Sequence, residues 1–145
     1  MVRITHTIDI DAPTQEVYTA IRALDGYPTW LGHSIVYRGT RVRSASAGAA
    51  LAYEDSTMIG RMRGELLEEV PGQALLFHQA KPSGSLDARI RYEVEVAGAV
   101  VRVTRVGELT THGMLRIVQP ILVRMASRES ERTMKALKTH VELTD

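Results

Sequence analysis

The 145-residue chain contains no cysteine. That excludes disulfides, thiolate metal sites and a cysteine nucleophile, and it fits the cytoplasm, where the protein is expected. The net charge is only +1, so no bulk electrostatic signal points to nucleic acid or an anionic membrane. Long hydrophobic runs are missing too. The most apolar segment, Met114 to Ala126, is shorter than the roughly 20 residues a bilayer span needs, so stable membrane insertion is not expected. Met1 to Ile10 alternates polar and apolar residues without an apolar leader core, so no signal peptide is read. There is no GxSxG elbow, P-loop, dinucleotide glycine motif or HExxH. His33, His78, His112 and His140 are scattered, with no pair at ligand spacing, so neither a metal nor a cofactor is expected.

What is present is ordinary globular material: 44% apolar and 24% charged residues, in a length that suits one domain, residues 1–145. Its organising stretch is the last. Gly113 to Leu143 reads as one long helix, with Met134, Leu137 and Val141 at helical spacing and Val123, Ser127 and Ser130 continuing that face upstream. Pro120 removes a backbone donor, so a kink or a separate first turn is expected there. Such a helix needs a sheet to cover its apolar stripe.

The rest of the chain supplies one. Val2, Ile4, His6, Ile8 and Ile10 alternate with polar residues as a half-buried strand. A helix follows, with Thr14 or Asp11 as its cap and Val17, Ala20, Ile21 and Leu24 as its stripe. Tyr27 to Gly32 is a very short helix or turn carrying the only Trp. From Ser34 the period changes to two. Strands are predicted near Ile35–Arg43, Ala50–Ile59, Arg61–Glu69, Ala74–Ala80, Leu86–Val96 and Val100–Thr110. Breakers at Ser44–Gly48, Gly60, Pro71-Gly72, Lys81–Gly84 and Ala97-Gly98 separate them. Short gaps make an antiparallel meander the economical topology.

In the cleanest strand, Ala88, Ile90, Tyr92, Val94 and Val96 face the core. With Ala97-Gly98 as the hairpin loop, Glu93 sits opposite Arg102 and Arg105 opposite Ile90. Val101, Val103 and Arg105 then point inward. An inward arginine on an apolar face needs an acid partner, a wet cavity or an anionic ligand.

The residues Ile8-Asp9-Ile10-Asp11-Ala12-Pro13, Glu16-Val17-Tyr18 and Leu24-Asp25-Gly26-Tyr27-Pro28-Thr29-Trp30, followed by Gly48, Leu66 to Pro71 with Leu75, and Leu137-Lys138 with Val141-Glu142, resemble the START / birch-pollen-allergen-like superfamily (SRPBCC). More closely, they resemble its bacterial polyketide cyclase/dehydrase and lipid transport branch. The resemblance implies an α+β helix-grip fold in the order β-α-α-β6-α, with a curved antiparallel sheet wrapped around the long C-terminal helix. It also implies a cavity between the two, opening near Gly26–His33 and Lys81–Gly84. Members of the superfamily bind lipids, sterols, polyketides or plant hormones, and others are oxygenase domains or chaperone partners.

The candidate ligand-binding residues follow from the inward faces. Leu51, Tyr53, Asp55, Thr57 and Ile59 are assigned inward, then Met62, Gly64 and Leu66, then Leu75 and Phe77. Gly64 is expected to leave space in the cavity. With Val103 and Val123, the set is Arg105, Tyr53, Tyr92, Asp55, His6, Thr57, Leu66, Phe77, Val103, Val123, Ser127 and Ser130. Arg105 reads either as the anchor of a carboxylate or enolate, helped by Tyr53 or Tyr92, or structurally, as half of an Asp55–Arg105 pair in a wet core or as a side chain near a strand end that snorkels out. The structural reading is preferred. His6 suits acid–base work, but a hydrogen-bonded structural histidine is preferred. The basic strand residues Arg41, Arg43, Arg61, Arg63, Arg89 and Arg91 read as a solvated outer face rather than a nucleic-acid surface. The apolar run Ile117, Val118, Ile121, Leu122, Met125 suits a cavity lid first, then a homodimer contact or a membrane-touching mouth.

Three functions remain. The first is binding of a small hydrophobic ligand such as a lipid, polyketide or aromatic metabolite, as carrier or sensor. The second is a polyketide cyclase, aromatase or dehydratase. The third is a protein-interaction module with a closed cavity. Binding is preferred, since no dense acid–base constellation supports chemistry.

Overall fold

A computed structural model describes residues 1–44 and 51–143. Strand β1 (Val2–Ile10) leads into helix α1 (Thr14–Arg22), a 3-10 turn (Leu24–Gly26) and the one-turn helix α2 (Tyr27–Trp30). Strands β2 (Tyr37–Ser44), β3 (Ala52–Thr57), β4 (Gly60–Val70), β5 (Ala74–Ala80), β6 (Leu86–Ala97) and β7 (Val100–Thr111) follow. Helices α3 (Met114–Ile117) and α4 (Gln119–Leu143) end the chain. Among the described residues, seven strands form one antiparallel sheet in the order β1-β7-β6-β5-β4-β3-β2. This is the helix-grip architecture, a curved sheet around a long C-terminal helix. The expected breaker at Ala45–Gly48 and the strand start at Ala50 lie outside the described residues.

Helix α4 rests on one side of the sheet, not on its middle. Its footing is β1. Lys138 Nζ donates to the Asp9 carbonyl at 2.7 Å, the Asp11 N–H donates to Glu142 at 2.8 Å, and His6 Nδ1 meets Ser130 Oγ at 3.0 Å. The C-terminal half of α4 is packed dry, with Met134, Leu137 and Val141 buried beside Ile10, Val17, Ile21 and Leu75. Each such side chain contributes about 1.5–3 kcal/mol of burial. Trp30 stacks on His140 at 5.7 Å and tilts against Tyr27 at 4.8 Å, fixing α2 to α4. Pro120 sits at the second residue of α4, where a missing N–H costs nothing. The break before it makes α3 a separate turn.

Several local expectations need correction. Pro13, not Thr14 or Asp11, is the N-cap of α1, and no side-chain cap forms, because the Asp11 backbone is held by Glu142 and Thr14 already lies inside the helix. The β6–β7 loop is Gly98-Ala99, since Ala97 pairs with Val100. A two-residue hairpin wants its positive-φ residue first, and Gly98 supplies φ +66°. That moves the pairing by two residues. Arg102 lies opposite Glu95, not Glu93, and Arg105 lies opposite Tyr92, not Ile90. Arg102 instead bonds Asp9 across β1 at 2.9 Å. Val96 is 71% exposed, because the hairpin runs past the helix layer. The outer-face arginines are solvated as expected, Arg61 beside Glu54 and Arg91 beside Glu68.

Candidate functional site

Where the sheet bends away from the N-terminal half of α4, a cavity of about 230 Å³ opens between them. Leu122, Val123, Met125 and Ala126 of α4 form its roof. Phe77, Ala88, Ile90, Tyr92, Arg105 and Gly107 form the floor. Tyr53, Asp55 and Thr57 form one wall, and Leu24, Tyr27 and Leu31 close the end. The described loop at Lys81–Gly84 does not border it, contrary to expectation, because Lys81 turns to the Ile59 carbonyl instead.

The polar groups converge on the floor and one wall. Arg105 and Tyr92 face each other across β7 and β6. The Arg105 Nε donates to the Tyr92 hydroxyl at 3.0 Å, and its guanidinium lies 5.6 Å from that ring's centre. No carboxylate comes within ion-pair distance of Arg105 among the described residues. The preferred Asp55–Arg105 pair is therefore not made. Asp55 accepts instead from Thr40 Oγ1 at 2.7 Å. Since Thr40 has one hydroxyl proton and spends it on Asp55, the Tyr37 hydroxyl must donate to Thr40, at 2.7 Å. Burial pushes the Asp55 carboxyl up to about 6, against the pull of Thr40 and the more distant Arg105. Burial likewise raises the Tyr53 hydroxyl, which bonds no protein group among the described residues and is left to the cavity.

Two glycines shape the site, and only one as read from the sequence. A methyl group on Gly64 would lie 2.2 Å from Tyr53 Cζ. Gly64 thus makes room for the Tyr53 ring, its partner across the sheet, rather than for a ligand. The space belongs to Gly107, inward on β7 two residues beyond Arg105. There a methyl would meet nothing closer than 3.7 Å, the Arg105 guanidinium.

Of the twelve candidates, the structure brings Arg105, Tyr53, Tyr92, Asp55, Thr57, Phe77 and Val123 to the cavity. His6, Leu66, Val103, Ser127 and Ser130 do not line it. His6 and Ser130 satisfy each other where α4 meets β1, the structural role preferred for His6. Leu66 and Val103 are core, and Ser127 is half-buried outside the lining. Tyr27, Tyr37, Gly107 and Glu129 also line the cavity and are not among the twelve, nor is Thr40, which bonds the wall residue Asp55. For Gly107 the signal existed, since it shares the inward parity of Arg105. No metal-ligating cluster is present among the described residues.

The family model described as "Polyketide cyclase / dehydrase and lipid transport" matches residues 1–142. The chain belongs to this family. Among solved structures, the cyclase/dehydrase-family chain is similar to TTHA0849 from Thermus thermophilus, at 16% identity over 99% of both chains, TM-score 0.80. It also matches the di-domain ARO/CYC StfQ of the steffimycin biosynthetic pathway at 12% identity, covering 99% of this chain and 52% of that one, TM-score 0.79. The ZhuI aromatase/cyclase from Streptomyces sp. R1128 follows at 11% identity, 97% and 93% coverage, TM-score 0.76. At these identities the likeness is one of fold. No curated protein matches the chain.

Proposed function

We propose that the cavity binds one small, largely apolar ligand carrying an anionic oxygen, a carboxylate or an enolate. The observation that carries this reading is Arg105, a cation on the cavity floor with no carboxylate beside it among the described residues. Its other N–H groups and the Tyr92 proton make no hydrogen bond among the described residues, and a guanidinium fork suits two ligand oxygens. The apolar roof and Phe77 take the body of the molecule. A chain whose cation sits unpaired in a half-buried site carries a desolvation cost, and an anionic ligand removes it.

The test compares 2-naphthoate with neutral 2-acetylnaphthalene by isothermal titration. The acid binds the wild type more tightly. Arg105→Met weakens the acid by about tenfold or more, as expected for a charge-assisted hydrogen bond, and leaves the ketone unchanged. Equal loss for both ligands, or none, overturns the anchor.

A second reading, chemistry on the bound ligand, is favoured by one observation. Asp55 faces the same cavity with its carboxyl held near 6, close to the value that suits proton transfer at neutral pH. With Arg105 stabilising an enolate, Asp55 would move the proton, as a cyclase or dehydratase requires. Loss of turnover of a β-ketone substrate in Asp55→Asn, with binding retained, tests that role.

A further inference from the structure

The large apolar side chains exposed among the described residues are not scattered. Six of eleven, Ile35, Met58, Met114, Ile117, Val118 and Ile121, lie on the two lips of the cavity. One lip is α3 with the first turn of α4, immediately before the roof residue Leu122. The other is the loop at Ile35, held to the Met58 turn by the Met58 N–H on the Val36 carbonyl at 3.0 Å. Val36 and Met58 both line the cavity. Ser34 ties this second lip to α4 by donating to Glu129 at 2.8 Å.

The charges on the first lip are of one sign. Between Leu109 and Arg128 the chain has three arginines, Arg116, Arg124 and Arg128, and no acid. All three are exposed and none pairs with a carboxylate among the described residues. Glu129, the next acid along, is taken by Ser34 and Arg132. The net charge of the whole chain hides this local excess because acids elsewhere balance it.

We infer that this lip docks the protein on an anionic lipid surface, with Ile117, Val118 and Ile121 entering the headgroup boundary and Arg116 and Arg124 on the phosphates. An apolar ridge flanked by unpaired arginines has the chemistry of an interfacial segment. A second copy of the chain fits it less well. A two-fold contact lays a patch on itself, and here it would bring arginine onto arginine with no carboxylate between them. No described helix is long and apolar enough to cross a membrane, so the contact is peripheral. Docking places the cavity mouth against the bilayer. Use of that contact for ligand transfer rests on the binding function proposed above; the docking itself does not.

Vesicle flotation tests it, with phosphatidylglycerol/phosphatidylcholine vesicles against pure phosphatidylcholine. Wild-type protein floats with the anionic vesicles only, and less so at high salt. Arg116→Gln/Arg124→Gln lowers partitioning by roughly fivefold for each arginine. Ile117→Ser/Ile121→Ser lowers it at least tenfold while melting as the wild type and still binding 2-naphthoate, since neither side chain lines the cavity. That separate titration keeps a failure of docking apart from a failure of the ligand site. Absence of flotation, equal binding to neutral vesicles, or a dimer in sedimentation that Ile117→Ser/Ile121→Ser abolishes would each overturn the proposal.

Discussion

Asp55 should make the protein less stable as it ionises, and the size of the effect can be worked out. Its carboxyl is buried on the cavity wall with Thr40 as its one hydrogen-bond donor among the described residues, and burial lifts it from an ordinary value near 4 to about 6. A folded-state value above the unfolded one means the native state binds the proton more tightly. The stabilisation is then fully present below about pH 4, is lost between roughly pH 4 and 6, and is gone above about pH 7. A rise of that size corresponds to about 3 kcal/mol. Asp55→Asn keeps an oxygen to accept from Thr40 and never ionises. At pH 7.5 the variant should therefore be more stable by about 2–3 kcal/mol, close to 10 °C in Tm for a chain of this size. At pH 4 the two should coincide. Urea unfolding of both proteins at half-unit steps from pH 4 to 8 measures the difference. Other carboxylates, such as Glu69 held low by Arg22 and Tyr18, titrate alike in both and cancel. Parallel curves, with no gap opening between pH 4 and 7, would refute the reasoning.

Further outcomes follow from the two glycines. Gly64→Ala forces the Tyr53 ring from its place and should cost about 2–3 kcal/mol by denaturant melts, but far less when Tyr53 is already alanine; equal costs in both backgrounds would show that the two do not touch. Gly107→Leu grows into open space beside Arg105, so it should leave Tm within a few degrees while weakening 2-naphthoate at least tenfold by titration. A variant that unfolds, or binds as before, would place the cavity elsewhere.

The strands were legible because one face of the sheet is buried and the other wet. Ala88, Ile90, Tyr92 and Val94 are core, while Arg89, Glu93 and Glu95 are exposed. The same parity put Arg105, Tyr53 and Asp55 on the inner face. Alternation assigns a face, however, and not what lies above it. His6 and Val103 are as inward as Arg105, but α4 sits on this part of the sheet, footed on β1, and its Ser130 meets His6. Arg105 lies where the sheet has curved away. That curvature is a property of the whole sheet, with bulges such as the one between Leu66 and Glu68, and no single segment encodes it. The hairpin register failed for a smaller reason. Both Ala97-Gly98 and Gly98-Ala99 contain a glycine, and only the demand for positive φ at the first loop position separates them. Gly64 was misread because its neighbour is across the sheet, not along the chain.

A hollow between the sheet and the first half of α4 that takes an apolar acid is the central claim. A 1H–15N NMR titration of the wild type with 2-naphthoate tests it most directly. Saturable shifts are expected at Tyr53, Phe77, Tyr92, Arg105, Gly107, Leu122 and Ala126, with the dry core at Leu137 and Val141 unmoved. Shifts confined to outer-face arginines such as Arg63 and Arg89, or none at all, would contradict it.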